Sequence, residues 1–185
     1  MLCQRIVHGC ILAALLGACS PAPDEASDKV WTSDSTRFSL RVSGGFPAPA
    51  SLGGCSPQDY TVTWEAATGR LAVRGCYGSR TVDASARLDA AGRAAVSSQL
   101  AALAVSAERG CGADFPDYVL TVTTAAGART YNSTFYAGCP ARTVAPPFIS
   151  SDALARFGAG LVNTLQTCAA GDAGVTCADA GPAGP

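Results

Sequence analysis

At 185 residues and a net charge of −1, with 48% hydrophobic and 15% charged side chains, the chain is long enough for one core and too short for two. Near-balanced charge without a basic cluster argues against binding to nucleic acid by phosphate neutralisation. The single histidine, His8, and the single methionine, Met1, both lie in the first ten residues.

The first element begins with Arg5, followed by an apolar run from Ile6 to Leu16 and the tetrapeptide Leu16-Gly17-Ala18-Cys19. About eleven apolar residues fall short of the about twenty that cross a bilayer. Leu16 is also not the small residue that an ordinary secretory site wants three places before its cut. The segment resembles a bacterial lipoprotein signal. That resemblance implies a signal peptide over residues 1–18, cleaved before Cys19, with a diacylglycerol on the Cys19 sulfur. It places the protein in the cell envelope, attached to membrane by its lipid. Ser20, where Asp would be a retention signal, implies delivery to the outer membrane.

Cleavage leaves Lys29 and eleven Arg against fourteen acidic residues, and no histidine. Ser-His-Asp hydrolysis, Cys-His catalysis and His-containing zinc sites all need an imidazole and are excluded. The expected protein is not an enzyme and carries no cofactor or metal. Of nine cysteines, Cys3 and Cys10 leave with the signal and Cys19 takes the lipid, so six remain: Cys55, Cys76, Cys111, Cys139, Cys168 and Cys177. An even set in an oxidising compartment reads as a disulfide framework.

Residues 19–35 hold Pro21, Pro23, four acidic residues and no apolar period, so they read as a lipidated end and flexible tether. Trp31, within it, is a candidate for outside contact. A single globular domain is expected over residues 36–168. There Phe38, Leu40 and Val42 alternate with polar residues as a half-wet strand requires, and Tyr60, Val62 and Trp64 do the same. Ala67-Thr68-Gly69 then turns the chain into a strand with Leu71 and Val73, a hairpin pattern, and Val82 to Leu88 is a weaker fourth strand. A helix with Asp89 as N-cap carries Val96, Leu100 and Leu103 at i, i+4 and i+7. A second hairpin joins Tyr118–Thr124 to Arg129–Phe135 through Ala125-Ala126-Gly127. Leu154, Phe157, Leu161, Leu165 and Cys168 form a helical stripe opened by Ser150, Ser151 and Asp152, although Gly158 and Gly160 weaken it. Residues 169–185, rich in Ala, Gly and Pro, read as a disordered tail.

The expected fold is α+β: an antiparallel sheet of five to six strands, two helices packed on one face, stapled by disulfides. Folding the second hairpin sets Cys111 opposite Cys139. Strand ends bring Cys55 to Cys76, and a short loop would close Cys168 to Cys177. Phe38, Trp64 and Phe135 are expected in the core.

The loop Arg109 to Asp117 is the candidate recognition loop, with Gly112, Ala113, Asp114, Phe115 and Asp117 as its site residues, because Gly, Pro and acids keep it exposed while a disulfide stiffens it. Cys111 to Pro116, the following Tyr118 to Val122, then Gly127, Tyr131, Phe135 and Cys139, resemble one half of subtilisin inhibitor-like proteins. That resemblance implies a protease partner whose target bond lies near Ala113-Asp114. Gly112 stands where that family has Pro, and Cys76 lacks the family's partner before the helix. The leading expectation is therefore a non-catalytic binding or structural lipoprotein with an envelope protein or glycan partner, and the alternative is a protease inhibitor.

Overall fold

The central strand β1 (Ser35–Ser43) alternates buried Phe38, Leu40 and Val42 with exposed or half-exposed Arg37, Ser39 and Arg41, so one face is dry and the other wet. A computed structural model of the chain describes residues 29–44, 55–78, 80–107, 109–112, 115–137, 146–170 and 177–178. On one side β1 pairs antiparallel with β2 (Gln58–Glu65), which continues to β3 (Arg70–Tyr77) and β4 (Arg80–Leu88). On the other it pairs antiparallel with β7 (Asp117–Thr124), which turns at Ala125-Ala126 into β8 (Gly127–Ser133). These are the six strands expected. Three two-residue strands extend the sheet beyond that number: β5 (Val105–Ser106), β10 (Phe148–Ile149) and β11 (Cys177–Ala178). The nine-stranded order among the described residues is β11-β4-β3-β2-β1-β7-β8-β10-β5. Pairing is antiparallel except for β8 with β10. A separate parallel pair joins β6 (Gly110–Gly112) to β9 (Phe135–Ala137). The fold is α+β, as expected.

Register aligns the apolar positions into rows. Phe38 stands between Trp64 and Val122, and Leu40 between Val62 and Leu120. Helix α2 (Ser151–Ala170) lies on this face against β2, β3, β4 and β7 through Leu154, Phe157, Leu161 and Leu165, the stripe the sequence carries. Helix α1 (Ala90–Ala101) meets the sheet at β4, and its Val96 and Leu100 join the same core. Its N-cap is Asp89, whose Oδ1 accepts from the Gly92 N–H at 2.8 Å. Gly158 is where α2 comes closest to the sheet. A Cβ there would sit 2.9 Å from the Tyr60 hydroxyl and 3.1 Å from Leu40 Cδ2, so the residue that costs helix propensity permits the packing. Gly160 has nothing within 4 Å and no such role. Among the described residues no helix is long and apolar enough to cross a membrane.

Four expectations need correction. Trp31, placed on the tether, is buried, with its ring centroid 5.1 Å from that of Trp64, and Val30 is buried beside it. The chain therefore enters the core ahead of β1, because these two apolar side chains find a cover that period-2 reading cannot see. Phe135, expected in the core, is exposed. The second hairpin also stops at Ser133 instead of running through Phe135. Toward the C-terminus, α2 extends to Ala170, and Cys177–Ala178 returns to pair with Leu88 and Arg87 of β4.

Cys55 is bonded to Cys76, with Cα atoms 5.5 Å apart. Cys168 is also disulfide-bonded. Cys111 lies on β6, but its side chain is outside what is described, as are the Cys177 side chain and all of Cys139, so the other two expected pairings lie outside the described residues.

Candidate functional site

One end of the sheet collects the chemistry: β1 ends there at Ser43, β7 begins at Asp117 and β8 ends at Ser133. Strand alternation sends Arg41, Ser43, Asp117 and Asn132 to the wet face while Val42 and Tyr118 go to the dry one. With Arg109, Tyr118, Val119 and Ser133 they line a pocket of about 250 Å³. The guanidinium carbon of Arg109 lies 5.3 Å from the centre of the buried Phe148 ring, a cation–π arrangement that fixes the side chain at the pocket wall.

Ser133 ends the hairpin by an identifiable device. Its buried hydroxyl accepts from the Tyr118 N–H at 3.2 Å and donates to the Phe135 carbonyl at 2.6 Å. A side chain satisfying backbone groups in this way competes with the ladder and lets the chain leave it. The departing residues are held at several points. The Gly110 N–H donates to the Thr134 carbonyl at 2.7 Å, and the Thr134 N–H to the Ile149 carbonyl at 2.8 Å. The Phe135 N–H donates to the Ser151 hydroxyl at 2.9 Å. The result is an outward-facing Phe135 ring on a fixed backbone.

That ring stacks on Phe115, with centroids 5.2 Å apart and planes at 27°. The two are 45% and 41% exposed, for Phe115 and Phe135 respectively, and are the exposed large hydrophobic side chains of the described residues. Gly110 lies close against that ring: a Cβ there would come within 3.0 Å of Phe135 Cε1, so the ring would have to give by a few tenths of an ångström. Burial raises the Tyr118 phenol pKa above its ordinary value, and the negative charge of Asp152 adds to the rise, so the ring on the dry face keeps a neutral hydroxyl.

Of the predicted site residues, Phe115 and Asp117 fall at this end and Gly112 lies in β6 beside it, while Ala113, Asp114 and Cys19 lie outside the described residues. Sequence reasoning missed Arg41, Ser43, Asn132 and Phe135 as companions of the loop. Alternation identified Arg41 and Ser43 as wet-face residues, but which strands neighbour one another is a non-local fact.

A second concavity, of about 630 Å³, is the wet face itself, floored by short side chains such as Ser39, Thr61, Thr63 and Thr121. It carries a highly exposed ion pair, Arg74 Nε to Asp83 Oδ2 at 3.2 Å, of a kind that contributes little to stability. Among the described residues no group of three or more His, Cys, Asp or Glu could hold a metal ion. The chain matches no protein-family model, no curated protein and no solved structure. Its functional reading therefore rests on its own residues.

Proposed function

We propose that the protein is a lipid-anchored lipoprotein of the bacterial outer membrane whose domain binds an envelope partner at the Phe115–Phe135 end of the sheet and catalyses no reaction. The observation that carries the binding reading is the stacked, exposed aromatic pair at the end of the sheet. Soluble domains rarely leave large apolar side chains paired in water, and such pairs anchor many interfaces. The anchor reading is supported by Leu16-Gly17-Ala18-Cys19 and Ser20, and the non-catalytic one by a chain whose only imidazole, that of His8, precedes the lipobox.

Two experiments test it. Cells fed an alkyne fatty acid should label the protein, and C19S should abolish the label and release the chain from the outer-membrane fraction. A photo-crosslinker at position 115 or 135 in intact cells should give a discrete adduct, whereas one at Ala126, on the exposed turn at the opposite end of the sheet, should give none. Equal adducts at all three positions would overturn the binding reading.

The inhibitor reading keeps one specific support. Gly110–Gly112 and Asp117 anchor both flanks of the candidate loop in β-structure, as a loop that resists cleavage requires. A subtilisin adduct at position 115, with the protease inhibited at equimolar protein, would favour it.

A further inference from the structure

We infer that the wet face of the sheet is a trough for an acidic glycan, which lies across the strands with its hydroxyls on a floor of Ser and Thr and its carboxylates against arginine walls. This is a second surface, separate from the Phe115–Phe135 pair, and its role does not depend on what that pair binds. Both helices pack their apolar stripes on the dry face, so neither covers this one.

The trough follows from register. Ser85, Ala72, Thr63, Ser39, Thr121 and Thr130 are successive Cα partners on β4, β3, β2, β1, β7 and β8, so short side chains stand in one row across the sheet. At about 4.8 Å between strands this floor runs about 24 Å. Two residues along the strands stand the flanking rows, with Arg37, Glu65 and Arg70 on one side and Thr61, Arg74 and Asp83 on the other. Those rows are about 13 Å apart at about 3.3 Å per residue. The concavity between them measures about 630 Å³, within the roughly 300–1,000 Å³ of ligand sites. An extended chain of pyranose rings repeats at close to the strand spacing, so one ring can meet each strand.

The floor selects hydroxyls. Those of Ser85, Thr63 and Ser39 have no protein partner among the described residues, and each can donate and accept at once, as a polyhydroxylated chain requires. A peptide is a poorer fit. The backbone groups of these central strands are already engaged in the ladder, so a peptide cannot add here as a further strand, and the rows hold no apolar pockets for its side chains. Nor do they hold an aromatic ring on which a nucleic-acid base would stack.

The walls select charge. Arg74 is paired with Asp83 at 3.2 Å, and Glu65 accepts from the Thr68 hydroxyl at 2.7 Å. Arg37 and Arg70, on either side of Glu65 in register, have no ion pair among the described residues, and Arg87 stands directly opposite Arg70. Like charges set opposite one another destabilise a sheet, and an anionic ligand relieves that repulsion. The planar guanidinium fork takes a carboxylate in bidentate geometry. The same positive excess disfavours a second copy of the chain stacked face to face.

The test titrates the lipidated protein in detergent calorimetrically with hexagalacturonate, neutral maltohexaose and hexaglutamate. Hexagalacturonate should bind, more weakly as salt is raised, with maltohexaose about tenfold or more weaker. R37Q and R70Q should each weaken that binding about fivefold or more without lowering the melting temperature, and S39Y, which fills the floor, should block it. F115A should leave it unchanged. Failure of hexagalacturonate to bind, equal binding of maltohexaose, or binding that R37Q and R70Q leave intact overturns the inference. Hexaglutamate binding as tightly as hexagalacturonate also overturns it, as the mark of charge attraction without sugar recognition. A loss in F115A equal to that in R70Q would put the sugar at the aromatic pair and overturn the placement on the wet face.

Discussion

The molecule contains two aromatic pairs of nearly the same spacing and opposite fate. Trp31 and Trp64 meet at 5.1 Å, Phe115 and Phe135 at 5.2 Å, yet the tryptophans are 8% and 1% exposed while the phenylalanines stand in water. Ring–ring attraction alone is worth about 0.5–1.5 kcal/mol in either place. What separates the pairs is the area removed from water, so the buried pair holds the domain together and the exposed pair remains available for contact.

The largest effect should come from breaking the buried pair. W64A is expected to cost about 3–5 kcal/mol, read by denaturant unfolding. The loss should fall toward the low end, because Trp64 Nε1 has no hydrogen-bond partner among the described residues and its burial already carries a desolvation cost. A loss below about 1 kcal/mol would show that the two pairs do not differ as described. Next comes the staple near the exposed pair's end of the sheet. Replacing Cys55 and Cys76 together by Ala should lower stability by about 2–4 kcal/mol. Crosslinking through position 115 should survive, and its loss would mean that the bond shapes the site itself.

A smaller effect depends on pH. Burial holds the Tyr60 phenol pKa well above its ordinary value of 10.0, so the folded state keeps a proton that the unfolded chain releases. That contribution is complete below pH 10.0 and is lost as pH rises from there through the folded value. Melting temperature should therefore fall more steeply above pH 10.0 in the wild type than in Y60F, and parallel curves would refute the assignment. The smallest stability effect is reserved for F115A, within about 0.5 kcal/mol of wild type, combined with loss of the crosslinked adduct.

The long elements were legible because each repeats its pattern several times. Phe38 to Val42, Tyr60 to Trp64 and the Leu154 to Leu165 stripe give period and face directly, and Asp89 marks a helix start through local chemistry. Strands of two or three residues, such as β5, β6, β9, β10 and β11, are too short to show any period. The site was half legible. Phe115 and Asp117 announced themselves in a Gly- and Pro-bearing loop. The exposure of Phe135 turns on one Ser133 hydroxyl that replaces a ladder hydrogen bond, and alternation cannot reveal that substitution. Trp31 went unrecognised as core for a similar reason, since its cover is supplied by Trp64, thirty-three positions away.

The antiparallel pairing of β1 with β7 has a mechanical consequence. A lipid at Cys19 would pull on the chain ahead of Ser35, at the start of β1, while a ligand held at Phe115 would pull at the start of β7. Because the two strands run in opposite directions, side by side, these starts lie at opposite ends of the sheet, and the load acts along the strands. Ser35 through Ser43 would slide against Thr124 through Asp117 as a block, so the hydrogen bonds must give way together instead of unzipping one by one. A domain so tethered and so bound would be braced in shear, the direction in which a β-ladder resists most.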